Sequence, residues 1–278
     1  MIGPDFDHLC HLVRTRSGLV LTPEKTYLVT SRLGPVARAH GLADVAALLA
    51  ALRLRPTPAL EQACVEAMAT HESFFFRDVT PFEQLARDVL PQLIEVRRGA
   101  RRLRIWCAAC SSGQEPYSIA MILQELGAQI PGWQLEIVAT DMSEAILKKA
   151  RSGLYSEFEV RRGLSDDRMR RWFSKDGAAW RIAPSLQQMV SFRMHNLLHG
   201  AGGLGVFDVI FCRNVLIYFD VAQKRTILNE LARSLAEDGR LFLGSAETVI
   251  GVTDAFELTP GARGLFRLGT APRLARSA

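Results

Sequence analysis

Nowhere in these 278 residues does an apolar run approach the roughly 18 residues that a membrane-spanning helix needs. The longest candidate, Leu42–Leu52, is broken by Asp44 and carries helical periodicity. A cationic start is lacking too. Asp5 and Asp7 stand where a secretory signal would place lysine or arginine, so the expected location is the cytoplasm. Cysteine is scarce and odd in number, five residues mostly inside apolar runs, which reads as reduced thiols rather than a disulfide framework. Charge is nearly balanced: 34 Lys and Arg against 29 Asp and Glu leave +5. That weakly favours an acidic partner and is too little to imply nucleic acid. Internal repeats and low-complexity segments are missing. What remains is a chain 48% hydrophobic and 23% charged, an ordinary balance for a folded protein with one large domain or a small and a medium one.

The first 75 or so residues read as all-helical. Phe6, Leu9, Leu12 and Val13 fall at helical spacing before Gly18, and Val45, Leu48, Leu49 and Leu52 form a second stripe stopped by Pro56. Thr57-Pro58 reads as a cap and first-turn proline opening a helix with Leu60, Cys64, Ala67 and Met68 inward. Between residues 14 and 55, Arg14, Arg16, Lys25, Arg32, Arg38, Arg53 and Arg55 face only Glu24 and Asp44, a local +5. A solvated helix face and a docking surface for an acidic partner both fit that excess.

From Thr80-Pro81-Phe82-Glu83, which has the form of a capping box, the pattern changes. Leu103–Cys107, Leu135–Thr140, Phe207–Cys212 and Arg240–Gly244 read as apolar strands. Helices over Glu115–Leu126, from Ser143 to Gly153, and over Lys224–Glu237 (Ile227, Leu228, Leu231 and Leu235 inward) alternate with them. Strands joined by helical crossovers imply a mostly parallel, doubly wound sheet. Residues 154–198 break the alternation. Trp180–Pro184 and Met189–Arg193, around Ser185–Gln188, read as an inserted antiparallel hairpin or small sheet. Gly269–Ala278 reads as a frayed end.

Ligands of such sheets bind beyond the carboxyl ends of the strands. The first strand runs into Ala108-Ala109-Cys110-Ser111-Ser112-Gly113-Gln114-Glu115, small residues opening a helix, but with one glycine it is a weak phosphate-loop signature. Glu115 fits either a cation ligand or a first-turn acid complementing the helix dipole. Asp141, closing the second strand, fits either a ribose-hydroxyl acceptor or a helix-entry aspartate, and Met142 beside it suits an adenine face. The third strand places Arg213, Asn214 and Tyr218 at the cleft mouth. Trp106-Cys107-x-x-Cys110 invites a redox reading, which a ligand loop fits better. A zinc site would need a second ligand pair that the neighbouring sequence lacks, so no metal is expected.

Taken together, His71-Glu72-Ser73-Phe74-Phe75-Phe76-Arg77, the Ala109–Ser118 loop, Thr140-Asp141 and Phe211-Cys212-Arg213-Asn214-Val215-Leu216-Ile217-Tyr218-Phe219 resemble the CheR family. These are chemoreceptor glutamate O-methyltransferases that use S-adenosylmethionine. The resemblance spans nearly the whole chain. It implies an α/β fold: a Rossmann-like class I methyltransferase domain over 77–278 with a small β insertion near 154–198, behind an all-helical receptor-docking domain over 1–76. It implies cofactor contacts from His71, Ser73, Arg77, Glu115, Asp141, Met142, Asn196, Leu197, Arg213 and Asn214, with Arg77 and Tyr218 as catalytic residues. Relatives usually carry asparagine where this chain has His71, and often threonine at Ser73. Histidine keeps a hydrogen-bond donor at that position.

The implied reaction moves a sulfonium methyl to a glutamate oxygen, leaving S-adenosylhomocysteine. A glutamate with a pKa near about 4.3 is already ionised at neutral pH, so no general base is required. The implied partner is the cytoplasmic helical bundle of a chemoreceptor, met by a monomer without membrane insertion. In some relatives the β insertion takes a receptor's C-terminal peptide as an added strand. The rivals are a receptor-binding module that keeps the cofactor as a structural ligand, and a thiol reductase.

Overall fold

The computed structural model describes residues 3–22, 24, 26–127 and 130–269. Lys25 and residues 270–278, the greater part of the expected frayed end, lie outside them. The chain divides into two compact units, Met1–Thr70 with Tyr218–Gln223, and His71–Ile217 with Lys224–Ala278.

In the first unit, α1 (Pro4–Ser17) buries Phe6, Leu9, Leu12 and Val13, one stripe at helical spacing. Gly18 ends it at φ 74°, its N–H donating to the Arg14 carbonyl. A Cβ there would also collide with the Phe219 ring, so glycine answers both demands. Helix α2 (Thr26–Ala39) has no stripe of its own in the sequence reading, and Gly34 and Pro35 inside it work against a helix. Burial of Val29, Leu33 and Ala37 overrides them. Helices α3 (Val45–Leu54) and α4 (Pro58–Met68) are capped by Asp44 and Thr57; α3 buries the expected stripe, while α4 buries Leu60, Cys64 and Met68 as expected but Val65 in place of Ala67.

The second unit opens with α5 (Thr80–Gln84), a π turn over Leu85–Val89 and α6 (Leu90–Val96). The expected capping box does not form. Val79, at φ 47°, is the N-cap and offers no side-chain bond, because Asp78 and Val79 turn sharply ahead of the helix. There follow β1 (Arg102–Ala108), α7 (Gln114–Leu126), β2 (Gln134–Asp141), α8 (Glu144–Ser152), β3 (Leu154–Ser156), α9 (Glu157–Arg161), α10 (Asp166–Trp172), β4 (Phe173–Asp176), β5 (Ala179–Ile182), α11 (Pro184–Gln187), β6 (Val190–Met194), β7 (Phe207–Cys212), α12 (Val221–Arg233), β8 (Leu235–Leu243), β9 (Phe256–Leu258) and β10 (Leu265–Leu268).

The main sheet has the order β6-β2-β1-β7-β8-β10-β9. Its first five strands are parallel and the last two pair antiparallel. From β1 the chain proceeds outward through β2 to β6, then returns to the other side of β1 as β7. The direction of winding therefore reverses between β1 and β7, where such sheets open a ligand crevice. The small antiparallel sheet, order β3-β5-β4, is the insertion.

Three expectations need correction. Met189–Arg193 does not pair with Trp180–Pro184. It forms β6, parallel to β2, while the hairpin partner of β5 is β4. The apolar side chains Val190 and Phe192 fit either sheet, and only long-range pairing decides. Leu235 is buried as the first residue of β8 rather than as the end of a helix, since α12 stops at Arg233 and Leu235 pairs with Phe207. Residues 71–76, assigned with the helical module, belong to the second unit: Phe75 and Phe76 are in its core, and Phe75 meets Tyr155 and Phe173 edge-on at 5.1 and 5.5 Å.

Candidate active site

The carboxyl ends of four adjacent strands carry most of the expected site residues. In sheet order these are Asn196 and Leu197 after β6, Asp141 and Met142 at the end of β2, the 109–115 turn after β1, and Arg213 and Asn214 after β7. Parallel pairing brings them level: Ala108 faces Thr140 on one side and Cys212 on the other.

The turn after β1 is tightly wound, with Ala109 at φ 62°, Ser111 at φ 51° and Gly113 at φ 94°. Small side chains permit this, and at Gly113 a Cβ would press within 3.1 Å of Ala150 and of the Tyr155 hydroxyl. The Cys110 N–H donates to the Thr140 carbonyl, while Tyr155 Oη donates to the Ser112 carbonyl. These bonds hold the turn against the β2 end and the insertion.

Asp141 is nearly buried. Its Oδ2 accepts the Ser111 N–H at 2.9 Å and its Oδ1 the Ser143 N–H at 3.1 Å. Burial pushes its pKa up, opposed by those N–H groups and by His71. His71 Nε2 lies 3.9 Å from Asp141 Oδ1, too far for a hydrogen bond, and is buried without a partner. The His71 carbonyl accepts from Ser111 Oγ at 2.9 Å, tying the 71–77 segment to the turn. The Phe76 N–H donates to Ser118 Oγ at 3.0 Å, which ties that segment to α7 as well.

Glu115 and Arg213 form a buried ion pair, Nη1 to Oε2 3.0 Å, with the Arg213 side chain only 1% exposed. Desolvation raises the Glu115 pKa and the guanidinium lowers it. Arg213 Nη2 donates to the Arg77 carbonyl at 2.8 Å and to Asp78 Oδ2 at 2.7 Å, while its Nε is buried and unpartnered. Arg77 itself donates to the Glu72 carbonyl at 2.9 Å, with Phe74 beneath its guanidinium. Ser73 is half-buried within the same segment. Asn196 Oδ1 accepts the Leu198 N–H at 3.0 Å, and the His195 N–H donates to the Asp141 carbonyl, which sets residues 195–197 beside β2. Tyr218 ends a short turn over Leu216–Tyr218 and belongs to the first unit.

One organising residue escaped the sequence reading. The Glu247 carboxylate accepts backbone N–H groups from Asn214, Val215, Leu216 and Gly244 at 2.7–2.8 Å. It holds Asn214 at φ 58°. Glu247 follows the carboxyl end of β8, so the strand-end rule would have found it had the search continued past Gly244. Asp78, Gly244 and Glu247 also border a cavity of about 520 Å³ floored by Leu243 and Phe266.

Cys107 and Cys110 are buried and desolvation pushes both thiols well up, the reverse of a reactive thiolate. The unpartnered His71 Nε2 and Arg213 Nε, the anchored Asp141 and the negative Glu115 suit a ligand bearing a carboxylate, hydroxyls and an amine. That is the polar inventory of S-adenosylmethionine.

Comparison with known proteins agrees. Residues 71–265 match the family profile described as CheR methyltransferase, SAM binding domain, and residues 4–69 match CheR methyltransferase, all-alpha domain. The chain is 39% identical over 267 residues to chemotaxis protein methyltransferase Cher2 of Pseudomonas putida, covering 94% of this chain and 96% of that one. It is 40% identical over the same length and shares to chemotaxis protein methyltransferase 1 of Pseudomonas aeruginosa. A third relative, chemotaxis protein methyltransferase 1 of Vibrio cholerae, is 40% identical over 91% of this chain and 92% of its own. An all-helical module ahead of a doubly wound, S-adenosylmethionine-binding sheet, matched along both parts, makes this chain a member of the CheR methyltransferase family.

Proposed function

We propose that the protein transfers the methyl group of S-adenosylmethionine to glutamate side chains on the cytoplasmic helical bundle of a chemoreceptor, forming methyl esters and S-adenosylhomocysteine. The observation that carries this reading is the row of polar groups at the switch point: Glu115 paired to Arg213, and Asp141 held by two backbone N–H groups.

When bound, the cofactor supplies an electrophilic methyl on a sulfonium. The chain's residues bind, orient and dehydrate. Glu115 takes the cofactor amine and Asp141 the ribose hydroxyls, the anion and acceptor that each ligand group needs. Met142, Asn196 and Leu197 border the base. His71, Ser73 and Arg213 serve the cofactor carboxylate, and Asn214 closes the cleft on the β7 side. Arg77, with its planar guanidinium fork, positions the acceptor carboxylate. Transfer joins an anion to a cation-borne methyl and leaves a neutral ester and thioether, so a site that excludes water accelerates it. The buried Phe75 and Phe76 beside Arg77 exclude water on that side.

The helical module up to Thr70 is assigned receptor docking, and the part that begins at His71 the chemistry. Three arginines of the basic stretch are ion-paired to acids outside it: Arg14 to Asp220, Arg16 to Glu61 and Arg53 to Asp5. Arg32 donates to the Met68 and Ala69 carbonyls. Among the described residues, docking therefore falls chiefly to Arg38 and Arg55. The deciding experiment incubates the chain with methyl-labelled cofactor and membranes carrying chemoreceptors. Label on the receptor, released as methanol by mild base, is the expected result. Base-stable label, or none while S-adenosylhomocysteine binds, overturns the reading.

A further inference from the structure

The β insertion reaches directly into the segment that carries Arg77. Helix α9 opens with a full capping box, Ser156 with Glu159, and its chain turns at Arg162 and Gly163. Gly163 adopts φ 98°, and a Cβ there would collide with the Phe75 carbonyl oxygen, so the two backbones lie in direct contact. From that turn Arg162 extends onto the 71–77 segment. Its Nη2 donates to Glu72 Oε1 at 2.8 Å and its Cζ sits 4.3 Å from the Phe74 ring centre. Arg77 uses the same two residues: its Nη1 donates to the Glu72 carbonyl at 2.9 Å and its Cζ lies 5.5 Å from the same ring.

We propose that Arg162 is a positioning residue for Arg77, fixing through Glu72 and Phe74 the direction in which the Arg77 guanidinium meets the acceptor carboxylate. This rests on the role given to Arg77 above. Both guanidinium groups lie at the Phe74 ring, and both bond Glu72, Arg162 at its carboxylate and Arg77 at its backbone carbonyl. Removing Arg162 therefore takes away one support of the ring and the anchor of the Glu72 side chain. Arg77 then loses its platform while keeping its charge. Arg162 beside Glu72 holds that carboxyl below its ordinary range. Both partners are well exposed, so the ion pair contributes little to stability, and its effect falls on geometry instead. The consequence is that the insertion, besides any peptide it engages, sets the aim of the catalytic arginine.

The test is a double-mutant cycle on the full chain, read as initial rates on receptor membranes with labelled cofactor and as S-adenosylhomocysteine affinity by calorimetry. Arg162→Ala is expected to lower kcat roughly three- to tenfold, with KM for the cofactor and the calorimetric affinity within about twofold. In an Arg77→Ala background the same change should alter kcat less than about twofold, because a residue acting through Arg77 has nothing left to aim. Arg162→Lys, which keeps the ion pair and loses planar stacking, should fall between. Glu72→Gln, an exposed change without folding hazard, should lower kcat in the same direction and add little to Arg162→Ala. Additive losses from Arg162→Ala and Arg77→Ala, or an Arg162→Ala chain of full activity, overturn the inference alone. An Arg77→Ala chain of full activity instead overturns the role of Arg77.

Discussion

Arg213 Nη1 sits 3.0 Å from Glu115 Oε2 across the point where the sheet reverses its winding, joining the chain after β7 to the first turn of α7. The pair is desolvated, and Arg213 is also bound to Asp78 and the Arg77 carbonyl. Cutting one member leaves a buried charge without compensation. Arg213→Ala is expected to cost about 3–5 kcal/mol in the second unit, and Arg213→Ala with Glu115→Gln appreciably less. Chemical denaturation followed by near-UV dichroism checks this, and equal losses in the single and double variants would contradict it.

Asp141 spends one lone pair of each oxygen on the Ser111 and Ser143 N–H groups and keeps others for ligand hydroxyls. Asp141→Asn preserves shape but puts an NH2 where one oxygen accepted. Titration calorimetry should show S-adenosylhomocysteine binding weakened about 10- to 100-fold, equivalent to the roughly 1.5–3 kcal/mol of a charged hydrogen bond. Unchanged affinity would remove Asp141 from the ribose site.

Burial raises the pKa of both Asp141 and Glu115. For a carboxyl raised on folding, the stabilising contribution is full below its unfolded pKa and is lost as pH rises through the folded value. The ligand-free protein thus bears a cost at neutral pH for keeping these groups charged, and a ligand that needs the anions relieves it. Affinity for S-adenosylhomocysteine should fall on acidification, beginning above the ordinary carboxylate range. Binding measured from pH 8 down to pH 5 tests this, and a flat profile would refute it.

Removing Glu247 orphans four backbone N–H groups at once. At roughly 1–3 kcal/mol each when left unsatisfied, Glu247→Ala should release the 214–216 backbone and destabilise the second unit by several kcal/mol. Amide hydrogen exchange at Asn214–Leu216 should quicken well beyond the rest of the unit. Protection there equal to the unaltered protein would deny the Glu247 carboxylate its role.

If Arg38 and Arg55 dock an acidic bundle, raising salt from about 50 to 300 mM should raise KM for receptor membranes severalfold and leave cofactor affinity unchanged. The double change Arg38→Glu, Arg55→Glu should mimic high salt. A salt-independent KM would point to apolar docking instead.

Amphipathic stripes, strand runs and most strand-end residues were legible in the sequence because each depends on local spacing. Phe6, Leu9, Leu12 and Val13 bury together for the simple reason that a helix repeats every 3.6 residues. Asp141 and Arg213 stood out because apolar strands end at them. What spacing does not encode is which strand pairs with which, and there the reading of Met189–Arg193 failed: its β6 is as apolar as a hairpin strand, and only its partner distinguishes the two.

The sequence by itself thus determined most of the apolar-striped helices, the alternation of the central strands and helices, and the family. Tertiary structure alone decided that residues 71–76 pack in the second unit, that Glu247 gathers the backbone after β7, and that Arg162 reaches Glu72. The difference is physical. Local periodicity is set by backbone geometry over a few residues, whereas a carboxylate finds donors far away in the chain only once the whole sheet has assembled and excluded water.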